Sequence, residues 1–381
     1  MEILFFGLNN SIFWFMKKTY MVLFCAFAGL LSSCSSDDGV KSSKNYIESF
    51  EVAGIKGEIK NDQSLILFIV FPEDYEKLKR ESNLIIHLSE NSTLSVGGEP
   101  GYWTERVFTV TAENGEKRSY SVRIELVRKK YGFESWALSN DTNGYNIPSD
   151  SNSSWTSGNE GISWALSILG KDSKNPENYP TRKTTEGYNG SNAVLLETIE
   201  GGDVVGRKKP LFSGNFILGN FNMRVALTNE LAATEIGRIY PAKPKKITGY
   251  YKYKEGDNAF ISGENADIIS SRPDSCSMIV KFYKSGDLDG RDTILTVVNI
   301  DESDLVIAET SKEDCSATAG DELHPFELEL KYKPGKEQLD SQSRYKLGMT
   351  FASSKDGDTF SGKIGSRLII DEIEIMDYDE E

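Results

Sequence analysis

Residues 106–127 read RVFTVTAENGEKRSYSVRIELV, and they decide the fold class. Two β-rich runs, 106–111 and 118–127, flank Glu113-Asn114-Gly115. Asn-Gly supplies the positive φ angles of a tight type I′ turn, so the runs are expected to pair as a hairpin. In the second run Tyr120, Val122, Ile124 and Leu126 fall on one face, with Ser121, Arg123 and Glu125 on the other. That alternation describes a half-buried strand of a small sandwich.

The same grammar extends in both directions. Residues 63–71 form a continuous apolar run stopped by Pro72, as a strand buried on both faces would be. Helical periodicity is scarce: only 74–81, short and charged, predicts one or two turns. Downstream, strands are predicted at 193–199, 216–227, 247–254, 277–283, 293–300, 326–332, 345–351 and 367–376, separated by Gly, Asp, Asn and Ser. The chain therefore reads as all-β: a sandwich over 45–128, then a jelly roll or related sandwich over 130–378. Polar segments 139–161 and 171–192 interrupt the second domain, and loops this long are functional or disordered.

The N-terminus reads as an export signal. Lys17 and Lys18 precede a short apolar run that closes with Leu31-Ser32-Ser33-Cys34, with Met16 the expected start and residues 1–33 removed. The run falls short of the roughly 20 apolar residues of a membrane span. Leu-Ser-Ser-Cys resembles the bacterial lipobox, which implies acylation of Cys34 and contact with the membrane through lipid alone. Residues 34–44 are then a solvated tether. Ser35-Ser36-Asp37-Asp38 resembles the acidic tetrad that sends lipoproteins of some Gram-negative bacteria to the outer face of the outer membrane, so a cell-surface address is expected.

Loss of the leader moves the formal charge from −15 to −16, because Lys17, Lys18 and Glu2 leave with it. Such a surface repels phosphate backbones, which argues against nucleic acid as a partner. Only His87 and His324 occur, too few for a multi-histidine metal centre or a ready Ser/His/Asp hydrolase. Cys276 and Cys315 remain after the leader, as a disulfide or as two thiols. Residues 357–363 fit G-x-x-x-x-G-K, but Ile364 follows where a phosphate loop needs Ser or Thr.

Two family resemblances sharpen this reading. FTVTAENG (108–115) with Tyr120-Ser121-Val122 resembles the closing hairpin of the immunoglobulin-like modules that follow the anchor in many surface lipoproteins, implying a spacer. Residues 130–378 resemble the "putative carbohydrate metabolism domain" of such lipoproteins. FESW (133–136), WTSGNEG (155–161), PLFSGNF (210–216), KITGYYKY (246–253) and FSGKIGSRLIIDE (360–372) carry that likeness, in order. It implies a jelly roll like those of carbohydrate-binding modules and a role in glycan use. No catalytic pair can be carried over.

Site residues follow from chemistry and from that resemblance. Asp371 is read as sharing a strand face with Ile369, Ile373 and Ile375, and a buried carboxylate must be paired, coordinated or protonated. The resemblance implies that Glu134 and Asp371 clamp a structural calcium; the alternatives are an Arg partner or capping of turn amides. Residues 286–292 hint at a calcium loop but read better as a hairpin tip. Aromatics in or beside the long loops offer a sugar-stacking platform, with Tyr145, Trp155, Tyr179 and Tyr188 as candidate ligand contacts. Trp155 and Trp164 fit packing better, as does Trp103. Three functions are open: a non-catalytic glycan binder, a glycoside hydrolase with an unmarked carboxylate pair, and an adhesive protein that binds a protein partner.

Overall fold

In the computed structural model of the protein, residues 40–80, 83–98, 102–139, 144–149, 154–288, 292–312 and 315–378 are described. The leader, Cys34 and the acidic tetrad lie outside them, as does the middle of the 286–292 loop. Among the described residues no helix is long and apolar enough to cross a membrane.

The hairpin forms as the alternation requires: Val107–Thr111 pairs antiparallel with Lys117–Leu126, setting Phe108 opposite Tyr120. Its turn differs from expectation. Gly115 N donates to Ala112 O (2.9 Å) and Ala112 N to Glu116 O (2.8 Å), and Gly115 alone has a positive φ, 90°. This is the longer hairpin loop closed by a left-handed glycine, and Asn114 contributes its side chain, accepting from Glu116 N at 3.0 Å.

Seven strands make the first sheet, in the order Leu84–Leu88, Ile47–Val52, Ile55–Lys60, Leu65–Val70, Lys117–Leu126, Val107–Thr111 and Thr93–Gly97. Leu65–Val70 lies at its centre, parallel to Lys117–Leu126 and buried along nearly its whole length. The sheet curls, because Phe50 and Phe108 come from strands four places apart yet meet edge to face at 5.0 Å. Trp103 fills this core and donates its indole N–H to Leu78 O (2.8 Å) in the helix Pro72–Arg80.

The rest of the chain builds two facing antiparallel sheets. One runs Thr181–Thr184, Ala193–Glu197, Arg367–Asp377, Pro244–Lys254, His324–Glu329. The other centres on Asn215–Phe221, Ser343–Ala352, Ser277–Asp287 and Val306–Ser311. Leu196, Tyr253, Leu368 and Ile370 of the first meet Phe216, Val280, Met349 and Phe351 of the second in one core. Each such side chain contributes roughly 1.5–3 kcal/mol by leaving water.

Several elements depart from the sequence reading. The run 293–300 supplies only the short strand Leu295–Thr296, and 216–227 ends as strand at Phe221 before the helical turn Met223–Ala226. The helix Asn159–Ile168 and the hairpin of Ile199–Val204 with Arg207–Phe212 were unforeseen. Cys276 and Cys315 are both buried, as thiols and not a disulfide, on neighbouring segments, with Cys276 N donating to Cys315 O at 3.1 Å. Burial and the facing Cys315 push the Cys276 thiol far above its ordinary range.

Ser43–Glu381 is one compact unit, and a buried ion pair ties the first sheet to the rest. Arg344 donates to both carboxylate oxygens of Glu58, by Nε at 3.2 and 3.1 Å and by Nη2 at 2.7 Å. Lys60 reaches the same carboxylate at 2.7 Å, and Leu288 O takes a further bond from Arg344 at 2.9 Å. Phe71 adds an apolar seam, edge-on to Tyr240 at 5.6 Å. Arg344→Met leaves Glu58 buried without its main partner, so urea unfolding should show a loss of about 3 kcal/mol. The double variant Glu58→Leu/Arg344→Met should recover most of it; a single-variant loss below about 1 kcal/mol would refute this seam.

Candidate functional site

Strand alternation determines what the second sheet shows on its outer face. Met278, Val280 and Phe282 point to the core, as do Leu347, Met349 and Phe351, which leaves Ile279, Lys281, Gly348 and Thr350 on the other side. Register aligns them: Thr350 lies opposite both Ile217 and Ile279, and Lys281 opposite Gly348. These residues floor a cavity of about 570 Å³, within the usual range for small-molecule sites.

Four insertions wall it. The helix Asn159–Ile168 packs Ala165 with Ile162 against Val204 and Phe212 of the 199–212 hairpin, while Trp164 stays 46% exposed and lines the cavity. Gly158 N, just before the helix, donates to Asn215 Oδ1 (2.8 Å), which ties the helix start to the floor. The segment 223–234 adds Met223, Leu227 and Leu231. Lys209 of the hairpin pairs with Glu230 there and lies 5.6 Å from the ring centre of Phe360. Lys281 at the floor is bound by Asp301 (2.9 Å) and by Glu309, and their hydrogen bonds raise its pKa against the opposing effect of burial.

The fourth insertion, 353–366, is held by one buried carboxylate. Asp274 Oδ2 accepts from Ser354 Oγ (2.6 Å), Ser366 Oγ (2.7 Å) and Lys363 N (2.8 Å), and Oδ1 from Ser275 N (2.8 Å). The G-x-x-x-x-G-K run is thus a knotted loop whose Phe360, in the left-handed region at φ 54°, lines the cavity.

The sequence-derived candidates fall elsewhere. Trp155 is core: it stacks on Phe216 at 4.8 Å and 6°, and pairing with Leu218 draws it inside. Tyr179 is also fully buried, its hydroxyl donating to Ser173 O (2.6 Å), with Tyr145 tilted against it at 5.4 Å. Tyr188 stacks on Tyr250 at 3.7 Å, away from the cavity lining. The aromatics of the cavity lining are Trp164, Phe212, Phe221, Phe351 and Phe360, of which Trp164 is the most exposed. Trp164 is read from sequence as packing, and the alternation of Ile162, Trp164, Leu166 and Ile168 supports that reading; only the helix reveals its exposure.

Asp371 also departs from its predicted row. Glu372 adopts φ 50°, and the pairing with Pro244–Lys254 slips between Thr248 and Tyr250. This bulge puts Leu368 and Ile370 on the core side before it and Ile373 and Ile375 after it, so Asp371 faces the other way with Ile369. Asp371 Oδ2 accepts from Tyr188 N and Ser191 Oγ, and Oδ1 from Glu372 N, each at 2.8 Å. Glu134 Oε2 accepts from Asn192 N at 3.2 Å, while Asn192 Nδ2 donates to Glu134 O at 2.8 Å. Both carboxylates therefore fasten the 187–192 loop, with both Asp371 oxygens and Glu134 Oε2 accepting from N–H and O–H donors. This donor set does not fit calcium. Among the described residues no group of three or more His, Cys, Asp or Glu is placed to hold a metal ion.

The fold and site define an all-β protein whose larger sandwich carries a walled, largely apolar cavity on one outer face. Residues 128–376 match the family model described as "Putative carbohydrate metabolism domain", and the chain belongs to that family. A solved protein of Bacteroides thetaiotaomicron, described as a "putative glycoside hydrolase", aligns over 92% of this chain and 100% of its own, at TM-score 0.58 and 23% identity. Another from Bacteroides vulgatus, described in the same words, covers 65% of this chain and 98% of its own, at TM-score 0.56 and 27% identity. The first likeness is one of fold. No curated protein matches the chain.

Burial raises the pKa of Asp371 above its ordinary 3.8, and the Glu134 charge adds to it. A raised carboxyl contributes stability that is complete below 3.8 and lost as pH climbs through the folded value. Melting temperatures measured from pH 3.8 toward 7 should therefore fall less steeply in Asp371→Asn than in wild type, and millimolar calcium should move neither. Equal slopes, or a calcium-dependent rise, would refute this assignment.

Proposed function

We propose that the protein is a lipid-anchored lipoprotein of the outer membrane, exposed at the cell surface, that binds glycan in the 570 Å³ cavity as part of carbohydrate use. The observation that carries the binding is the exposed indole of Trp164 at a cavity whose floor supplies Thr350, Asn215 and a bound lysine. An exposed aromatic face is what the C–H side of a sugar ring stacks on, and the floor groups can meet hydroxyls. Membership of a carbohydrate metabolism family supports this ligand class. The first sheet acts as an immunoglobulin-like spacer, and Cys34 takes the anchor. Outside the cytoplasm, the adjacent Cys276 and Cys315 would meet conditions that favour a disulfide.

A glycoside hydrolase is the second reading, favoured by the descriptions of the two solved relatives. The Asp301–Lys281–Glu309 cluster brings two carboxylates to one ammonium at the cavity edge. Both carboxylates are engaged with that one ammonium and do not face each other across the cavity as a catalytic pair would, so binding without turnover is preferred.

On a glycan array, Trp164→Ala should reduce retention about tenfold while the fold persists. Trp155→Ala should instead cost about 3–5 kcal/mol of stability. Release of reducing sugar by the wild type would replace binding with hydrolysis, and silence in both assays would end the glycan reading. Cys34→Ser should leave the membrane fraction and fail to incorporate labelled palmitate; an unmodified wild-type thiol would remove the anchor.

A further inference from the structure

The mouth of the cavity is more apolar than a bare sugar needs. Trp164, Val205, Leu227 and Leu231 all line it and are 46, 70, 61 and 39% exposed, and Phe360 joins them. Scattered apolar residues at a surface are ordinary, but a cluster around one opening marks a binding surface.

Backbone strain points the same way. Val205 and Gly206 form the two-residue turn of the 199–212 hairpin, with Val204 opposite Arg207, and their φ values are 53° and 75°. Such a turn favours Asn-Gly, and a β-branched residue in the left-handed region is an outlier that costs about 1–2 kcal/mol. Asp203 Oδ1 accepts from Gly206 N (2.7 Å), so the turn is fastened in this form. Among the described residues, three large apolar side chains have a positive φ: Phe133, Val205 and Phe360. Phe133 is buried in the core, whereas the other two both line this cavity. Val205 gains no burial to offset its strain, being 70% exposed.

Charge narrows the occupant. Lys209 and Lys281, the two lysines of the lining, are already paired with carboxylates, Glu230 for one and Asp301 and Glu309 for the other. Arg207, the remaining cation of the lining, is offset by Asp358, so the lining presents no net positive charge to an anionic group. We propose that the cavity takes a glycoside with an uncharged apolar substituent, an alkyl or aryl aglycone, which packs on the Trp164–Val205–Leu227–Phe360 mouth while the sugar meets the floor. This rests on the glycan reading above and specifies its ligand. An alkyl chain from a glycolipid and an aryl group from a phenolic glycoside share this chemistry.

The test is calorimetric titration of the full chain with methyl, octyl and 4-nitrophenyl glycosides of glucose, galactose and N-acetylglucosamine, with octan-1-ol alongside, all below micelle formation. For at least one sugar the octyl or nitrophenyl glycoside should bind at least about tenfold more tightly than its methyl counterpart. Preference for octyl marks a lipid-like source, and preference for nitrophenyl an aryl one. Val205→Asn suits the left-handed turn, so it should melt higher than wild type while it loses most of that advantage and leaves methyl glycoside affinity unchanged. Leu227→Ser should lose the advantage without the gain in melting temperature. Equal affinities for methyl and substituted glycosides would overturn the aglycone site while sparing the glycan reading. Octan-1-ol binding as tightly as octyl glycoside would overturn both, as would no binding of any glycoside.

Discussion

The parity of three neighbouring strands governs both the core and the cavity. Along 215–221, 277–287 and 343–352, one set of alternate residues packs inward and the other floors the site. A slip of one residue would expose Met278, Val280 and Phe282 and bury Lys281 among aliphatic side chains. The energetics of the core thus fix the register of the site, and no floor residue needs to contribute much stability itself. Thr350 and Lys281 can therefore be chosen for what they present, whereas Gly348 makes room for Ile236, whose Cγ2 would lie 2.3 Å from a Cβ there.

How much of this was legible depended on whether one strand's pattern carried the information. The all-β class, the central 65–70 strand and the main second-domain strands follow from local alternation and turn residues. The cavity does not, because its walls depend on long-range partners. Residues 159–168 place Ile162, Ala165 and Leu166 at helical spacing but also alternate as a strand would (Ile162, Trp164, Leu166, Ile168), and packing on the 199–212 hairpin decides for the helix. That hairpin carries Arg207-Lys208-Lys209-Pro210, which reads as a loop, and closes on Val-Gly in place of Asn-Gly. Trp155 and Trp164 stand nine residues apart in similar polar company, yet strand pairing buries one and the helix surface exposes the other. Asp371 shows the limit most clearly: periodicity assigned it to a row that a single bulged residue interrupts.

Buried charge is used for position more than for net stability. Glu58 with Arg344 sits at the seam of the two β units, and Asp274 holds the 353–366 loop by three hydrogen bonds. A fully satisfied buried carboxylate costs desolvation and returns it as hydrogen bonds, so its net contribution is small while its geometric demand is large. Asp371 and Glu134 do the same for the 187–192 loop. In each case the carboxylate specifies where a loop sits against a sheet, which apolar contacts alone would leave loose.

That rigidity bears on the strain at the cavity mouth. Left-handed Phe360 belongs to a loop pinned by Asp274 on one side and by Ser361, which accepts from Gly263 N at 3.0 Å, on the other. Surrounding bonds can therefore hold an unfavourable backbone that the residue itself would abandon. Val205 has fewer such restraints, only the hairpin ladder and the Asp203 contact, and its side chain is in water. Asparagine or glycine at that turn would be more stable, so the valine is not explained by folding. A strained apolar residue that gains no burial from the fold is what the proposed aglycone contact accounts for, since that contact would bury Val205 only when the cavity is filled.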